Sequence, residues 1–230
     1  MLVLVIDTET SDLPKSKFVS DKNLHLWPFI VQFSYLIYDT NIKDITLIYD
    51  SLIKLKPYNL ISEGSSKIHH ITNEISEKKG LCKKKVLSLL YDSLINVNLV
   101  IGHNLKFDLN MIEVEILRCL KEENDSSSHF SEKMNSMLKH IHNLNIGETS
   151  FCTMQLTKEF CNLERENSKG KYIKFPTLLE LHHKLFNTNP SKLHNSLVDI
   201  LVTLRCYIKF IYDYDITRYN EIKKKFKGII

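Results

Sequence analysis

Apolar residues run together, or alternate with polar ones, in five stretches that predict β-strands. The first, Leu2 to Ile6, is an unbroken apolar run rich in β-branched types, which is typical of a strand buried on both faces. Two longer stretches follow with only a short polar turn between them, so the first three strands are predicted to form a meander. The five stretches are, in order, "LVLVI", "PFIVQFSYLIYD", "ITLIYDSLIKL", "NLVIG" and the start of "FCTMQLTKEFCNL".

Between and after these strands, apolar residues recur at the spacing of three and four positions that indicates helices. Asn104 is expected to cap one helix, and Asn195 or Ser196 another. Strands that alternate with helices after a meander predict a single α/β domain over residues 1–230, built on a central mixed sheet flanked by helices. The predicted helices are short ones within 61–80, then 83–95, 105–120, 174–186, 196–212 and a basic one from about residue 216.

One segment, residues 121–149, breaks this alternation. Its beginning is rich in serine and is expected to be mobile. Met134, Met137 and Ile141 keep helical spacing further on. The segment is therefore interpreted as an insertion that contains one modest helix, not as a second domain.

The composition suits a folded protein with a full core, because 43% of the 230 residues are apolar and 25% are charged. The net charge of +4 allows a polyanionic partner without requiring one. Five scattered cysteines without a C-x-x-C pair argue against a disulfide framework or a zinc knuckle, and favour a reducing compartment. With no apolar run near the ~20 residues that span a bilayer, we expect a soluble intracellular protein of the cytoplasm or nucleus, not bound to membrane.

Two carboxylates stand at the end of the first apolar run. Asp7 and Glu9 alternate along an extended chain, so their side chains project to the same face, with Cα atoms roughly 7 Å apart. Charges ~5 Å apart repel by about 3 kcal/mol at an effective dielectric near 20. The pair is either an ordinary acidic turn at the surface or a pair of metal ligands, and this stretch alone favours neither.

Two further acids and a histidine bear on this choice. Asp108 and Asp199 each lie one turn into a predicted helix, where strand ends and helix N-termini meet at one edge of an α/β sheet. Taken singly, each acid is explained by the helix dipole. His194 stands five residues before Asp199, in the loop ahead of the helix, where its imidazole could act as a general base over a site that Asp199 ligates.

Three stretches carry a family resemblance. They resemble the three motifs of the DEDDh 3′–5′ exonucleases, a group that includes the epsilon proofreading subunit of bacterial DNA polymerase III, ribonuclease T and the three-prime repair exonucleases. Four intervening segments resemble epsilon-like members in the same order. The motifs are "VIDTET", "VIGHNLKFDLN" and "LHNSLVDILVTLRC", and the segments are "WPFIVQFSYLIYD", "SSKIHHITNE", "FCTMQL" and "KFPTLLELHHKLF".

The resemblance implies a ribonuclease H-like fold with a five-stranded sheet, and a set of site residues. Four acids would bind two divalent cations, Mg²⁺ with Mn²⁺ able to substitute, and His194 would be the general base. Four other residues would contact the terminal nucleotide, although "KIHHIT" is equally well explained as a plain helix end. The acids are Asp7, Glu9, Asp108 and Asp199, and the nucleotide contacts are Thr8, Thr10, Ile68 and His69.

The activity that the resemblance implies is hydrolysis of phosphodiester bonds from the 3′ ends of DNA, of proofreading or repair type, with release of nucleoside 5′-monophosphates. The partners would be single-stranded DNA or 3′ overhangs, and a polymerase or other replication protein. An RNA-trimming exonuclease, a catalytically silent nucleic-acid-binding fold and a scaffold acting through residues 121–149 are the alternatives. Ser11 and Asp12 depart from the Thr-Gly that often stands there in the family.

Some aromatic and basic residues fit either a structural or a nucleic-acid-binding role. Trp27 and Phe29 could stack on bases, although large aromatic residues at the start of a strand more often belong to the core. The lysine runs Lys83 to Lys85 and Lys223 to Lys225 could contact phosphates, although a solvated helix face explains such runs more often.

Overall fold

The structure, a computed structural model, describes residues 1–123 and 126–230. Residues 124 and 125, in the predicted serine-rich start of the 121–149 segment, lie outside the described residues. The strands are β1 Leu2–Thr10, β2 Ile30–Asp39, β3 Asp44–Leu52, β4 Leu99–Gly102, β5 Ser150–Cys152, β6 Leu163–Asn167 and β7 Gly170–Lys174. The helices are α1 Glu63–His69, α2 Asn73–Lys79, α3 Lys83–Leu94, α4 Leu105–Glu122, α5 His129–His142, α6 Thr153–Leu156, α7 Lys158–Cys161, α8 Leu178–Phe186, α9 Ser196–Tyr212 and α10 Asn220–Lys225.

Five strands form the predicted mixed sheet, in the order β3-β2-β1-β4-β5. β1 pairs antiparallel with β2 and parallel with β4, which places it at the centre of the sheet. Pairing with β2 continues as far as Thr10, so Asp7 and Glu9 lie within the strand and not beyond its end. The predicted fold class is confirmed.

Side chains of β1 alternate between two cores because the sheet is covered on both faces. Leu4 and Ile6 pack with α3, α4 and α5, whereas Val3 and Val5 pack with α8, α9 and the C-terminal segment. This explains why the first five apolar residues are continuous and not alternating. Within the described ranges, no helix is both long and apolar enough to cross a membrane.

Three local features differ from the sequence-based expectations. A hairpin of β6 and β7, paired only with each other among the described strands, was not predicted, because its exposed charged residues lack an apolar alternation. The C-terminal helix begins at Asn220, after a 3₁₀ turn at Ile216–Arg218. Asn104 takes the N-cap position of α4 in the left-handed conformation but makes no side-chain cap bond, whereas Asn195 does cap α9.

Gly80 lies where backbone segments approach too closely for any side chain. A Cβ there would overlap backbone atoms of Ser76 and Ile53. We expect Gly80→Ala to lower the free energy of unfolding by about 1–3 kcal/mol, because the overlap forces the backbone to shift. Urea denaturation followed by circular dichroism measures this.

Gly64→Ala in α1 is the matched control, since the nearest atom to its Cβ would be Ser62 Oγ at 3.9 Å. It should be neutral or stabilise by less than about 1 kcal/mol, because alanine favours helix over glycine. Equal unfolding midpoints for the two variants would contradict the packing argument.

Candidate metal and catalytic site

Three carboxylates from two elements converge at one edge of the sheet. Asp7 and Glu9 extend from β1 and Asp199 from α9, and one carboxylate oxygen of each lies within 4.8 Å of the others. The register places Asp7 opposite Ser34 and Glu9 opposite Gln32, so the two acids share a strand face as predicted. Residues almost 200 positions apart thus form one acidic cluster.

Asp199 is held by the local structure at the start of α9. The Asn195 side chain accepts from the Val198 N–H at 3.4 Å and begins the helix. The backbone N–H of His194 donates to Asp199 Oδ2 at 3.1 Å. Asp199 Oδ1 is buried and has no hydrogen-bond partner among the described residues. One oxygen is therefore fixed by the protein while the other is left for a ligand.

Asp108 lies next to this cluster but outside the group of three. Its Oδ1 accepts from the N–H of Thr8 at 3.0 Å and from Thr8 Oγ1 at 2.8 Å. The charge of Asp108 nevertheless acts on Asp7, which places the two carboxylates in the same electrostatic environment. Thr8 thus fixes one carboxylate oxygen of Asp108 against β1.

The turn before α4 is fixed by His103. Its Nδ1 lies 2.9 Å from Thr153 Oγ1 and its Nε2 lies 3.1 Å from the carbonyl oxygen of Pro176. Burial lowers the pKa of His103 to about 4, so the ring is neutral and acts as a connector between three segments. His103 thus shapes the turn that leads into α4.

Burial raises the pKa of all four acids, and the charges of neighbouring acids add to the effect at Asp7, Glu9 and Asp108. Burial raises the pKa of Glu9 to about 8, and the charges of Asp199 and Asp108 add to the effect. Burial likewise raises the pKa of Asp108 and of Asp199 to about 7. For Asp7, burial and then the charge of Asp108 raise the pKa well above its ordinary value. Four carboxylates that resist ionisation lie close together.

The donor set fits hard divalent cations. Mg²⁺ and Mn²⁺ prefer carboxylate oxygens and keep several waters, and a cation would offset the repulsion that raises these pKa values. The unpartnered Oδ1 of Asp199 is the observation that favours a missing ligand over an ordinary acidic surface.

His194 lies exposed in the loop ahead of α9, as predicted. Its backbone is left-handed, with φ of 66°. Burial lowers the pKa of His69 in α1. The C-terminal segment holds this loop in place, because the Ser191 N–H donates to the Ile229 carbonyl at 2.7 Å.

Among the predicted nucleotide contacts, three make hydrogen bonds within the protein. Besides Thr8, the Thr10 hydroxyl donates to the Asp12 carbonyl at 2.8 Å. His69 accepts from the Ile71 N–H through Nδ1 at 3.0 Å, so Nε2 carries the proton and donates to the Thr10 carbonyl at 3.2 Å. Ile68 is 53% exposed beside them. A nucleotide contact by any of the four stays a prediction.

A polar network that sequence reasoning missed links the strands beside the cluster to the start of α9, from the exposed Asp50 to the buried Ser34 and Ser196. Ser34 Oγ lies 2.6 Å from Ser196 Oγ, at the start of α9, and donates to Asp50 Oδ1 at 2.7 Å. Gln32 donates to the same Asp50 oxygen at 2.9 Å. This network ties β2 and β3 to the helix that carries Asp199. Polar residues at alternate positions of the apolar β2 run were the signal that could have revealed it.

The metal-free protein should lose stability as the pH rises from about 5 to about 8. The folded acids keep protons there that the unfolded chain, with a carboxyl pKa near 4, has already released, so the free energy of unfolding falls by about 1.4 kcal/mol per pH unit for each proton retained. Mg²⁺ should reverse the loss, and Asp199→Asn should reduce both effects. Thermal melts across this pH range test this, with the exposed Asp213→Asn as control. A metal-free stability that rises over this range would contradict the assignment.

Ser34→Ala should loosen the start of α9. It leaves Ser196 Oγ without its 2.6 Å contact, so we expect a loss of about 1–3 kcal/mol in the free energy of unfolding and a smaller Mg²⁺-induced rise in Tm. Ser51→Ala is the control, because the buried Ser51 hydroxyl contacts only the carbonyl of its neighbour Leu52, at 2.9 Å, in the described structure. If Mg²⁺ raises the Tm of Ser34→Ala as much as that of wild type, the network does not support the metal site.

Solved structures share this fold. E. coli exonuclease I in complex with a dT13 oligonucleotide is 16% identical, with a TM-score of 0.58 over 100% of this chain and 46% of that chain. Exonuclease I from Methylocaldum szegediense is 12% identical, with a TM-score of 0.55 over 94% of this chain and 42% of that chain. The chain thus spans less than half the length of these exonuclease I structures.

A structure of similar length is exonuclease X in complex with 5′ overhanging duplex DNA. It is 18% identical, with a TM-score of 0.52 over 96% of this chain and 98% of that chain. No curated protein matches the sequence. The RNase T model, described as exonuclease, matches residues 4–207 and so includes all four acids and His194. The chain therefore belongs to the RNase T exonuclease family, the DEDDh-type 3′–5′ exonucleases that its three motifs resemble.

Proposed function

We propose that this protein is a metal-dependent 3′–5′ exonuclease that removes nucleoside 5′-monophosphates from the 3′ end of DNA. The observation that carries the proposal is the cluster of Asp7, Glu9 and Asp199, with an unpartnered buried oxygen and His194 beside it. A catalytically silent relative is expected to lack a carboxylate or the histidine, and this chain has the full set.

The four acids would hold two divalent cations, as the family resemblance implies. When bound, the cations would polarise the phosphodiester, acidify the attacking water and neutralise charge on the leaving oxygen. Asp7 is central to the acid set, because it interacts with Glu9, Asp108 and Asp199. Thr8 and the His194 N–H each hold one carboxylate oxygen, so the ligands are oriented before any cation arrives.

His194 would accept the proton from the attacking water. Its ring belongs to an exposed loop, whereas its backbone N–H donates a hydrogen bond to Asp199. This bond holds the general base next to a metal ligand. General-base catalysis of this kind contributes typically about 10²–10⁴ in rate. The fixed backbone explains why a left-handed conformation is tolerated at this residue.

DNA is the substrate that we propose over RNA. The similar E. coli exonuclease I structure contains a dT13 oligonucleotide and the exonuclease X structure contains duplex DNA, and the sequence segments resemble epsilon-like members. RNA would present a 2′-hydroxyl at the same position, and an enzyme that accepts it needs room and a partner for that group. A polymerase or replication partner stays a prediction from the resemblance.

The test is shortening of 5′-labelled DNA and RNA single strands of equal sequence, with Mg²⁺, with Mn²⁺ and with chelator. We expect stepwise loss from the 3′ end of DNA, faster than RNA, that stops with chelator. Asp199→Asn should lower the rate by at least about 10³, because both cations depend on the acid set. His194→Gln should lower kcat by about 10²–10⁴ with little change in KM.

Asp213→Asn, at the other end of the same helix, is the matched control and should retain wild-type rates. If RNA is shortened faster than DNA, RNA is the preferred substrate and the proposed hydrolysis is unchanged. Binding of both polymers without any shortening would leave a nucleic-acid-binding protein and overturn the catalytic proposal.

A further inference from the structure

The segment 188–194, between α8 and α9, carries His194 and belongs to neither a helix nor a strand. It is called the His194 loop below. Lys192 and His194 are both left-handed, with φ of 61° and 66°. In residues other than glycine this conformation is strained, and it persists only where surrounding contacts fix it. Among the described residues, the hydrogen bonds of the His194 loop run to neighbouring elements and not across the loop itself. Those neighbours therefore decide where His194 lies.

The first anchor of the His194 loop is a histidine that has no part in the proposed chemistry. His182 in α8 is fully buried, and its Nδ1 lies 2.8 Å from the Thr188 carbonyl oxygen. Its Nε2 lies 2.7 Å from Arg205 Nη1, and because a guanidinium can only donate, Nε2 accepts and Nδ1 carries the proton. Burial lowers the pKa of His182, and the charge of Arg205 lowers it further, which agrees with a neutral ring. His182 thus donates to the loop as a single fixed tautomer.

Arg205 is itself held by the C-terminal segment. Its guanidinium donates twice to the Asp215 carboxylate, from Nε to Oδ1 at 3.0 Å and from Nη2 to Oδ2 at 2.6 Å. The guanidinium carbon lies 3.8 Å from the centre of the Phe186 ring. A guanidinium that is both bidentate and stacked has one orientation, so Nη1 stays directed at His182. Asp215 lies beyond residue 207, where the match to the exonuclease family ends.

The second anchor of the His194 loop also comes from the C-terminal segment. Besides the bond from the Ser191 N–H to the Ile229 carbonyl, the Ser191 hydroxyl donates to the Gly228 carbonyl at 2.9 Å. Ile229 is buried in the core that contains α9, so the end of the chain is packed against the domain. With the bond from the His194 N–H to Asp199, the loop is fixed at its start, its middle and its end.

We propose that His182 is a positioning residue for the general base, and that the chain of contacts from Asp215 through Arg205 to His182 holds the His194 loop beside the acid cluster. This rests on the proposed exonuclease function, in which His194 accepts the proton from the attacking water. His182 acts on the rate through the position of the loop. The segment beyond residue 207 thereby contributes to catalysis, although it supplies no residue that accepts a proton or binds a cation.

The test measures hydrolysis of 5′-labelled oligo-dT in Mg²⁺ by the full chain that carries His182→Ala. We expect kcat to fall about ten- to a hundredfold, because misplacement of a catalytic group by about 1 Å costs up to ~10² in rate. KM should stay within about twofold of wild type, since the network makes no contact with the strand in this proposal. Asp215→Asn should lower kcat in the same direction, because Arg205 then loses its charged partner.

A double-mutant cycle with His194→Gln separates positioning from a general loss of structure. If His182 acts through His194, His182→Ala should change the remaining rate of His194→Gln by less than about twofold. Equal losses in the two backgrounds would overturn the proposal, because His182 would then act on stability or on the acids. An unchanged kcat for the single variant His182→Ala would also overturn it.

Cys206→Ala is the matched control. Cys206 follows Arg205 in α9 and is fully buried, and within the described ranges no hydrogen bond joins it to the His194 loop. The variant should lower the Tm, as His182→Ala does, while kcat stays within about twofold of wild type. If Cys206→Ala lowers kcat as much as His182→Ala, the loss follows from stability and the positioning role is rejected.

Hydrogen–deuterium exchange separates this proposal from the function on which it rests. In His182→Ala, a peptide that covers 188–194 should exchange at least about tenfold faster than in wild type, because the bonded Ser191 and His194 amides open more often. If wild type hydrolyses no oligo-dT but this change occurs, the exonuclease proposal fails and His182 remains the anchor of the loop. If wild type is active and exchange in 188–194 is unchanged in the variant, His182 does not hold the loop and the positioning proposal fails.

Discussion

The repulsion among four carboxylates at one buried edge is the constraint on which the rest of the molecule depends. One oxygen each of Asp7, Glu9 and Asp199 lies within 4.8 Å of the others, and burial raises the pKa of every member of the set. Such a cluster persists only where rigid elements hold it. β1 is paired on both sides in the centre of the sheet, and α9 packs across it with a largely buried surface.

The polar groups around the cluster orient it without neutralising it. Thr8 and the His194 N–H each donate to a carboxylate oxygen, and the Ser34–Ser196 contact anchors the start of α9. In the described part of the chain, no cationic side chain forms an ion pair with Asp7, Glu9, Asp108 or Asp199. The charge is thus left for a mobile cation, so that ligand binding and local stability are coupled.

A nuclease of this kind faces opposite electrostatic demands on one substrate. The acid cluster repels a polyanion, whereas binding of a strand needs positive charge.

The sequence by itself determined the mixed sheet and the acid set, because strand and helix periods and the three motifs are local signals. Asp7 and Glu9 share a face simply because strands alternate. The contact of Ser34 with Ser196, the partners of His69 and the joining of 54–59 with Lys83 and Arg118 depended on packing of residues far apart in the chain. The β6–β7 hairpin was missed because exposed strands need no apolar alternation. Tertiary structure alone decided these features, since hydrogen bonds and ion pairs depend on distance in space and not on order along the chain.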